Sequence, residues 1–264
     1  MRLFEEYNFR KRLTGKTLNI PIAMLHHVAE QPHPSLRTWC ITHSKFLEFL
    51  NCIEQKGLQT TTFQEMVSQK LTSKDLKNKI IITFDDCAAE LLDFAIPELV
   101  KRKMKAVFYM PSNHIDGQNI WDIEEFAMTS VKLMNLQQLQ YLLTLGMEVG
   151  SHGENHIRLN RVSEAEANQD ISNSKKKLEE ILQHPVYSFA YPYGKIPAQH
   201  QSMLIKAGYH FGLSIYTAVE TKYTLRRFAI NETDDRKIIN MKLSRRYRIM
   251  RALYDPVLLM KNRL

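Results

Sequence analysis

Short apolar runs alternate with segments of helical periodicity along most of this chain. Seven runs read as strands: residues 21–25, 79–84, 106–110, 147–150, 187–190, 211–215 and 225–230. Strand runs separated by helical patterns predict parallel strands joined by crossover helices. Residues 43–56 set Phe46, Leu47, Phe49, Leu50 and Ile53 on one side and stop at Gly57. Thr62 with Glu65, and Ser163 with Glu166, have the spacing of capping boxes. The helix after Ser163 has Ile171, Leu178, Ile181 and Leu182 as its inner face. Pro97 predicts a break or kink within 88–103. Residues 236–254 place Ile239, Leu243, Tyr247, Met250 and Tyr254 at helical spacing and form one amphipathic helix. With no internal repeat or low-complexity linker, these elements specify an α/β barrel or a doubly wound sheet.

The chemistry-bearing residues fall at the ends of these strands. Thr83-Phe84-Asp85-Asp86 ends one run, and Ser151-His152-Gly153-Glu154-Asn155-His156 follows another. His26, Asp85, Asp86, His152 and Tyr193 all lie just after a predicted strand, where α/β barrels keep their active sites. Two imidazoles and a carboxylate hold a metal ion and leave positions for water and substrate. Such an ion lowers the pKa of its water to roughly 7, and a neighbouring carboxylate can take the proton. Adjacent strand residues point oppositely, so one aspartate on the metal and one on the water is a natural division of labour.

Composition narrows the picture without choosing a substrate. A chain of 264 residues with 44% hydrophobic content has ample material for a packed core. A net charge of +8 and a pI near 9.3 suit an anionic partner or surface. Charge without a recognised module is weak ground for nucleic acid binding, and none is expected. Cys40, Cys52 and Cys87 are odd in number and lack a CxxC pair, which points to reduced thiols. The first 20 residues are rich in charge, so no signal peptide is expected. No run reaches the roughly 20 apolar residues of a membrane span. The protein is therefore expected in the cytoplasm, or peripherally at the inner membrane face.

On these motifs the chain resembles the polysaccharide deacetylase family (NodB homology, carbohydrate esterase family four). Thr83-Phe84-Asp85-Asp86-Cys87 is similar to the family's TFDDG segment. Gly146 to His152, with His156 and Leu159, is similar to G-x-E-[IV]-[GA]-S-H-[ST]-x-x-H-x-x-L, and Phe189 to Gly194 to R-x-P-[YF]-G. Ala106 to Tyr109 resembles its ATFF strand. The resemblance implies a NodB-like distorted (β/α) barrel of about seven parallel strands. It implies a metal-dependent deacetylase in which Asp85 is the base, Asp86, His152 and His156 hold the metal, and the Tyr193 N–H supports the oxyanion. Zinc suits that donor set, as do other first-row metals. The implied substrate is an N-acetylated glycan or glycolipid.

The chain also departs from the family pattern. No histidine follows His210, so the usual late acid is absent. Met24-Leu25-His26-His27 resembles the Tyr-His segment of the circularly permuted poly-N-acetylglucosamine deacetylase branch, which assigns the acid to His26, with His27 as runner-up. Cys87 replaces the usual Gly, and Ala190 stands where many members have an Arg that orients the base. Arg227 on the last strand is the candidate replacement. Trp121 and Trp39 are candidate sugar platforms, Trp121 the better placed. Residues 1–235 then form the catalytic domain. Residues 236–264 form a basic amphipathic extension that can lie on an anionic membrane. Competing readings are a hydrolase of another non-peptide C–N bond and a non-catalytic carbohydrate-binding homologue.

Overall fold

The computed structural model describes Leu18 and residues 20–261. The first 17 residues, on which the signal-peptide expectation rests, lie outside the described residues. The strands are β1 (Ile22–Leu25), β2 (His27–Val28), β3 (Cys40–Ile41), β4 (Gln59–Thr60), β5 (Lys79–Asp85), β6 (Val107–Met110), β7 (Glu148–Ser151), β8 (Ser188–Ala190), β9 (Phe211–Ser214), β10 (Leu225–Arg226) and β11 (Phe228–Ala229). The helices are α1 (His43–Gln55), α2 (Phe63–Ser68), α3 (Ala95–Lys101), α4 (Ile120–Phe126), α5 (Leu136–Thr144), α6 (Glu164–Leu182), α7 (His200–Ala207), α8 (Arg236–Lys242) and α9 (Arg245–Lys261).

The main sheet runs β10-β9-β8-β7-β6-β5-β1-β11, with parallel pairing throughout. Its two ends are consecutive in sequence. β10 pairs with β9, β11 pairs with β1, and only Arg227 stands between them. The predicted strand at 225–230 is therefore split: it changes partner at Arg227 and nearly closes the sheet as a barrel. Counting that segment once, the staves number seven, as the resemblance implied. β4 adds to the flank of β5, and β2 and β3 pair separately.

The alternation along β5 explains both the core and the site. Ile80, Ile82 and Phe84 pack with Phe46 and Phe108 in the larger cluster, while Ile81 packs with Val107, Tyr109 and Leu213 in a second. Asp85 shares parity with Ile81 and Thr83, so the same alternation that builds the core directs its carboxylate away from the helical layer. A strand buried over all of Ile80–Asp85 is what a parallel sheet covered on both faces requires.

Both predicted capping boxes form only in their hydroxyl half, because the Glu65 carboxylate turns to Thr61 and Lys105 and that of Glu166 to Ser163 Oγ. Thr62 Oγ1 accepts from Glu65 N at 3.2 Å, and Ser163 Oγ accepts from Glu166 N at 3.2 Å. Two predicted helices differ. The break within 88–103 precedes Pro97, because α3 begins at Ala95 and Pro97 falls in its first turn, where a missing N–H costs nothing. The single helix predicted over 236–254 is two, α8 and α9. Ser244 Oγ accepts from Tyr247 N and restarts the helix with a new cap.

Candidate active site

β1 and β5 lie side by side in register, Met24 opposite Thr83 and Leu25 opposite Phe84. One step on, His26 comes level with Asp85. β7 ends at Ser151, delivering His152, and the chain after β8 turns at Pro192–Gly194 to deliver Tyr193. All six predicted residues, His26, Asp85, Asp86, His152, His156 and Tyr193, line one cavity of about 290 Å³ at this rim.

Asp86, His152 and His156 form the one buried cluster of metal-ligand type among the described residues, their donor atoms within 4.8 Å of one another. Asp86 Oδ1 lies 3.6 Å from His152 Nε2 and 3.3 Å from His156 Nε2. Ligand atoms roughly 2.0–2.1 Å from a tetrahedral zinc sit about 3.4 Å apart, so the spacing fits. Asp86 Oδ1 is buried without a hydrogen-bond partner, a condition a cation relieves. His152 Nδ1 lies 2.8 Å from the Ala190 carbonyl, which accepts the Nδ1 proton and leaves Nε2 as the free lone pair. Burial holds the His152 imidazole below its ordinary pKa, and burial with His152 close by does so more strongly for His156. Neutral imidazoles are the form that binds metal.

The backbone is strained here. Asp86 (φ 69°), Cys87 (φ 57°), His156 (φ 54°) and Tyr193 (φ 56°) are all left-handed, a conformation costing roughly 1–2 kcal/mol for an L-residue. At Cys87 the family's Gly would avoid that cost. The turn also overrides the alternation expected for adjacent residues. Asp86 lies beyond β5, and its carboxylate swings back toward His152, which Asp85 Oδ2 also approaches at 3.8 Å.

Asp85 is held differently from Asp86. Arg227 Nη1 donates to Oδ1 at 2.6 Å and Nη2 to Oδ2 at 2.7 Å, a bidentate pair with both partners buried. Arg227 Nη1 also reaches Thr83 Oγ1 at 3.2 Å. Burial pushes the Asp85 carboxyl up, but the guanidinium outweighs it and, with His152 and His26, holds the pKa at about 2. Asp86 has no such partner; burial and the neighbouring Asp85 charge raise it well above the usual carboxylate range. Arg227, the candidate replacement for an arginine at position 190, thus reaches Asp85 from the closing seam of the barrel.

The two histidines after β1 diverge. His26 Nε2 lies 3.9 Å from Asp85 Oδ2, and its ring packs on Trp39 at 4.9 Å. His27 Nδ1 is instead 2.9 Å from Glu90 Oε1. Burial lowers His26 to about 3, against the opposing pull of Asp85, so its imidazole is neutral at rest. The tryptophans differ in exposure, opposite to the expected order. Trp121 is buried with its face stacked on His156 at 4.1 Å, whereas Trp39 is 41% exposed at the cleft.

One contributor escaped the sequence reading. Asp170 on α6 is buried and accepts from Glu154 N at 3.0 Å and Asn155 N at 2.9 Å. It pins the loop between His152 and His156. Gly153 (φ 80°) passes so close that a Cβ there would lie 2.6 Å from Asp170 Oδ1. Its signal was a lone acid beside Ile171 on a face otherwise read as apolar.

Residues 72–212 match the family model described as Polysaccharide deacetylase. Poly-β-1,6-N-acetyl-D-glucosamine N-deacetylase of Staphylococcus aureus is 23% identical over 181 residues, covering 68% of this chain and 62% of that protein. The chain thus spans about 62% of the length of the curated relatives it first matches. Among solved structures, the Streptococcus pyogenes deacetylase PplD in complex with acetate aligns at a TM-score of 0.70 and 18% identity, covering 87% of this chain and 100% of that one. IcaB from Ammonifex degensii aligns at 0.67 and 18%, covering 87% and 98%. These structures share the fold.

Proposed function

The chain belongs to the polysaccharide deacetylase family, and from that premise we propose that it is a metal-dependent hydrolase removing acetyl groups, N-acetyl foremost, from a sugar of a glycan or glycolipid. The observation that carries this reading is the separation of two adjacent aspartates. Asp85 is locked to Arg227, and Asp86 faces two neutral imidazoles with an unpartnered oxygen. In this assignment residues 1–235 are the catalytic domain.

Asp86, His152 and His156 would hold the ion, zinc by preference, which when bound activates water and polarises the acetyl carbonyl. Asp85, ionised at any working pH, accepts the proton as water attacks. Arg227 fixes the carboxylate orientation. The backbone N–H of Tyr193 donates to the oxygen that becomes negative on the substrate carbon. His26, neutral at rest, gains proton affinity from that developing negative charge, takes up the proton that Asp85, 3.9 Å away, received from the water, and passes it to the departing amine as the C–N bond breaks; Asp85 is thereby restored as carboxylate and acetate is released. Trp39 offers its exposed face to the sugar ring beside His26. The features that favoured a non-catalytic homologue, Ala190 and the lack of a late histidine, are offset by Arg227 and His26.

The substrate class is an N-acetylated glycan, with the poly-β-1,6-N-acetylglucosamine named for the relatives as the first candidate. Three unpaired, buried cysteines suit a reducing compartment. We therefore place the reaction at the cytoplasmic side, near an anionic membrane surface. The test is acetate release from a panel of N-acetylated glycans and glycolipids by zinc-loaded protein. Release abolished in Asp85→Asn and cut at least tenfold in His26→Ala supports the roles. No release from any substrate, with one equivalent of metal bound, overturns the assignment.

A further inference from the structure

Helix α9 is amphipathic in the inverted sense. Arg248, Arg251 and Asp255 turn toward the protein. Asp255 is fully buried, accepts from Arg226 Nε at 2.9 Å and pairs with Arg251 Nε at 2.5 Å. Arg251 Nη2 also donates to the Ile215 carbonyl at 2.6 Å, and Arg248 Nη2 to that of Leu18 at 2.6 Å. The opposite side carries Ile249 (65% exposed), Leu253 (70%) and Tyr254 (60%), with Met250 beside them. Arg245 and Arg246 are exposed at the start of the same helix. Asp255 is the helix's one acid, so the outward face is apolar and cationic with no negative charge.

We propose that this face docks on an anionic lipid bilayer. Soluble surfaces rarely present adjacent large aliphatic residues without a partner. Apolar side chains flanked by arginines suit the headgroup boundary, where each basic residue contributes about 1 kcal/mol, or roughly fivefold in affinity. The charge complementarity favours anionic lipid over a second copy of this chain, whose matching face would carry the same arginines. The face is also joined to the cleft. Arg251 lies over the ring of half-exposed Tyr216 at 4.8 Å, and the preceding Ile215 lines the site. Docking by α9 thus sets the cleft rim beside the membrane, where a lipid-linked sugar would be presented. No described helix is long and apolar enough to cross a membrane, so the contact is peripheral.

The experiment is flotation of the full chain with phosphatidylcholine vesicles, with and without phosphatidylglycerol. The variants are Ile249→Ser with Leu253→Ser, and Arg245→Glu with Arg246→Glu. All four side chains are exposed, and unchanged melting temperatures confirm intact folding. The wild type should float with the anionic vesicles and much less with pure phosphatidylcholine. The apolar pair should lower binding at least tenfold, and the arginine pair should abolish its salt sensitivity. Binding is read without turnover, so this surface stands or falls separately from the deacetylase assignment. Failure of the wild type to float overturns the proposal. So does flotation unaltered by both pairs, or a wild-type dimer in sedimentation that Ile249→Ser with Leu253→Ser turns into a monomer.

Discussion

Replacing Arg227 with Met keeps much of the side-chain volume and removes the charge that faces Asp85. The two groups are buried to 1% and 3% exposure and joined by two short hydrogen bonds. A folded pKa of about 2 against an ordinary 3.8 corresponds to roughly 2 kcal/mol favouring the ionised form. That stability is present above the ordinary value and is lost as pH falls toward about 2. Without the guanidinium, burial acts unopposed and the direction reverses: the carboxyl rises, and stability declines as pH increases. Breaking one side of a buried pair costs about 3–5 kcal/mol, a fall in Tm of roughly 6–20 °C for a domain of this size. Removing both charges should cost far less, so Asp85→Asn with Arg227→Met should recover most of the loss. Denaturant unfolding of the two single variants and the double variant, at several pH values, measures this coupling. An Arg227→Met protein within 1 kcal/mol of wild type, with unaltered turnover, would refute the reasoning.

Other consequences are more local. Asp170→Asn should weaken zinc binding by about 10–100-fold in calorimetry, as loss of an outer support for a metal ligand does, and affinity unchanged within error would dismiss the pinned loop. Glu148, buried under Ser188 and the start of α2, is pushed up to about 7 by burial. Its folded value exceeds the ordinary 4.5, so stability is greatest below that value and declines by up to roughly 3 kcal/mol as pH rises through about 7. Glu148→Gln should flatten that decline in urea titrations; a slope as steep as the wild type's would exclude Glu148 as its source. Trp39→Ala should raise KM for a glycan more than it lowers kcat, whereas equal effects on both would argue against a ring platform.

The strands and the two motifs at Asp85-Asp86 and His152–His156 were legible because both are local. The strand runs needed only apolar runs, and the histidine pair needed only a spacing of four. The Asp85–Arg227 pair was half legible. Arg227 stood out as a candidate, but its partner lies 142 positions away and is reached because β10 and β11 change partners around it. Trp121 misled because sequence position near the site does not say which face a ring presents, and its face is taken by His156. Asp86 joins His152 and His156 as expected, but it does so through a left-handed turn beyond β5 rather than by strand alternation. The break at Ser244 was hidden because an apolar stripe continues through it, while the cap that splits the helix rests on one hydroxyl. Asp170 left one faint signal, an acid beside Ile171 on an apolar face, but nothing pointed to its partners, which are backbone N–H groups and leave no mark in a sequence.

The division of labour between the two adjacent aspartates is tested most directly by titrating metal-free protein with zinc while recording heat and acetate release together. Activity should rise to a plateau at one equivalent. Asp85→Asn should bind zinc with unchanged stoichiometry yet release acetate about 10²–10⁴-fold more slowly, and Asp86→Asn should fail to bind. Loss of zinc binding in Asp85→Asn, or acetate release surviving in it at the wild-type rate, would contradict the account.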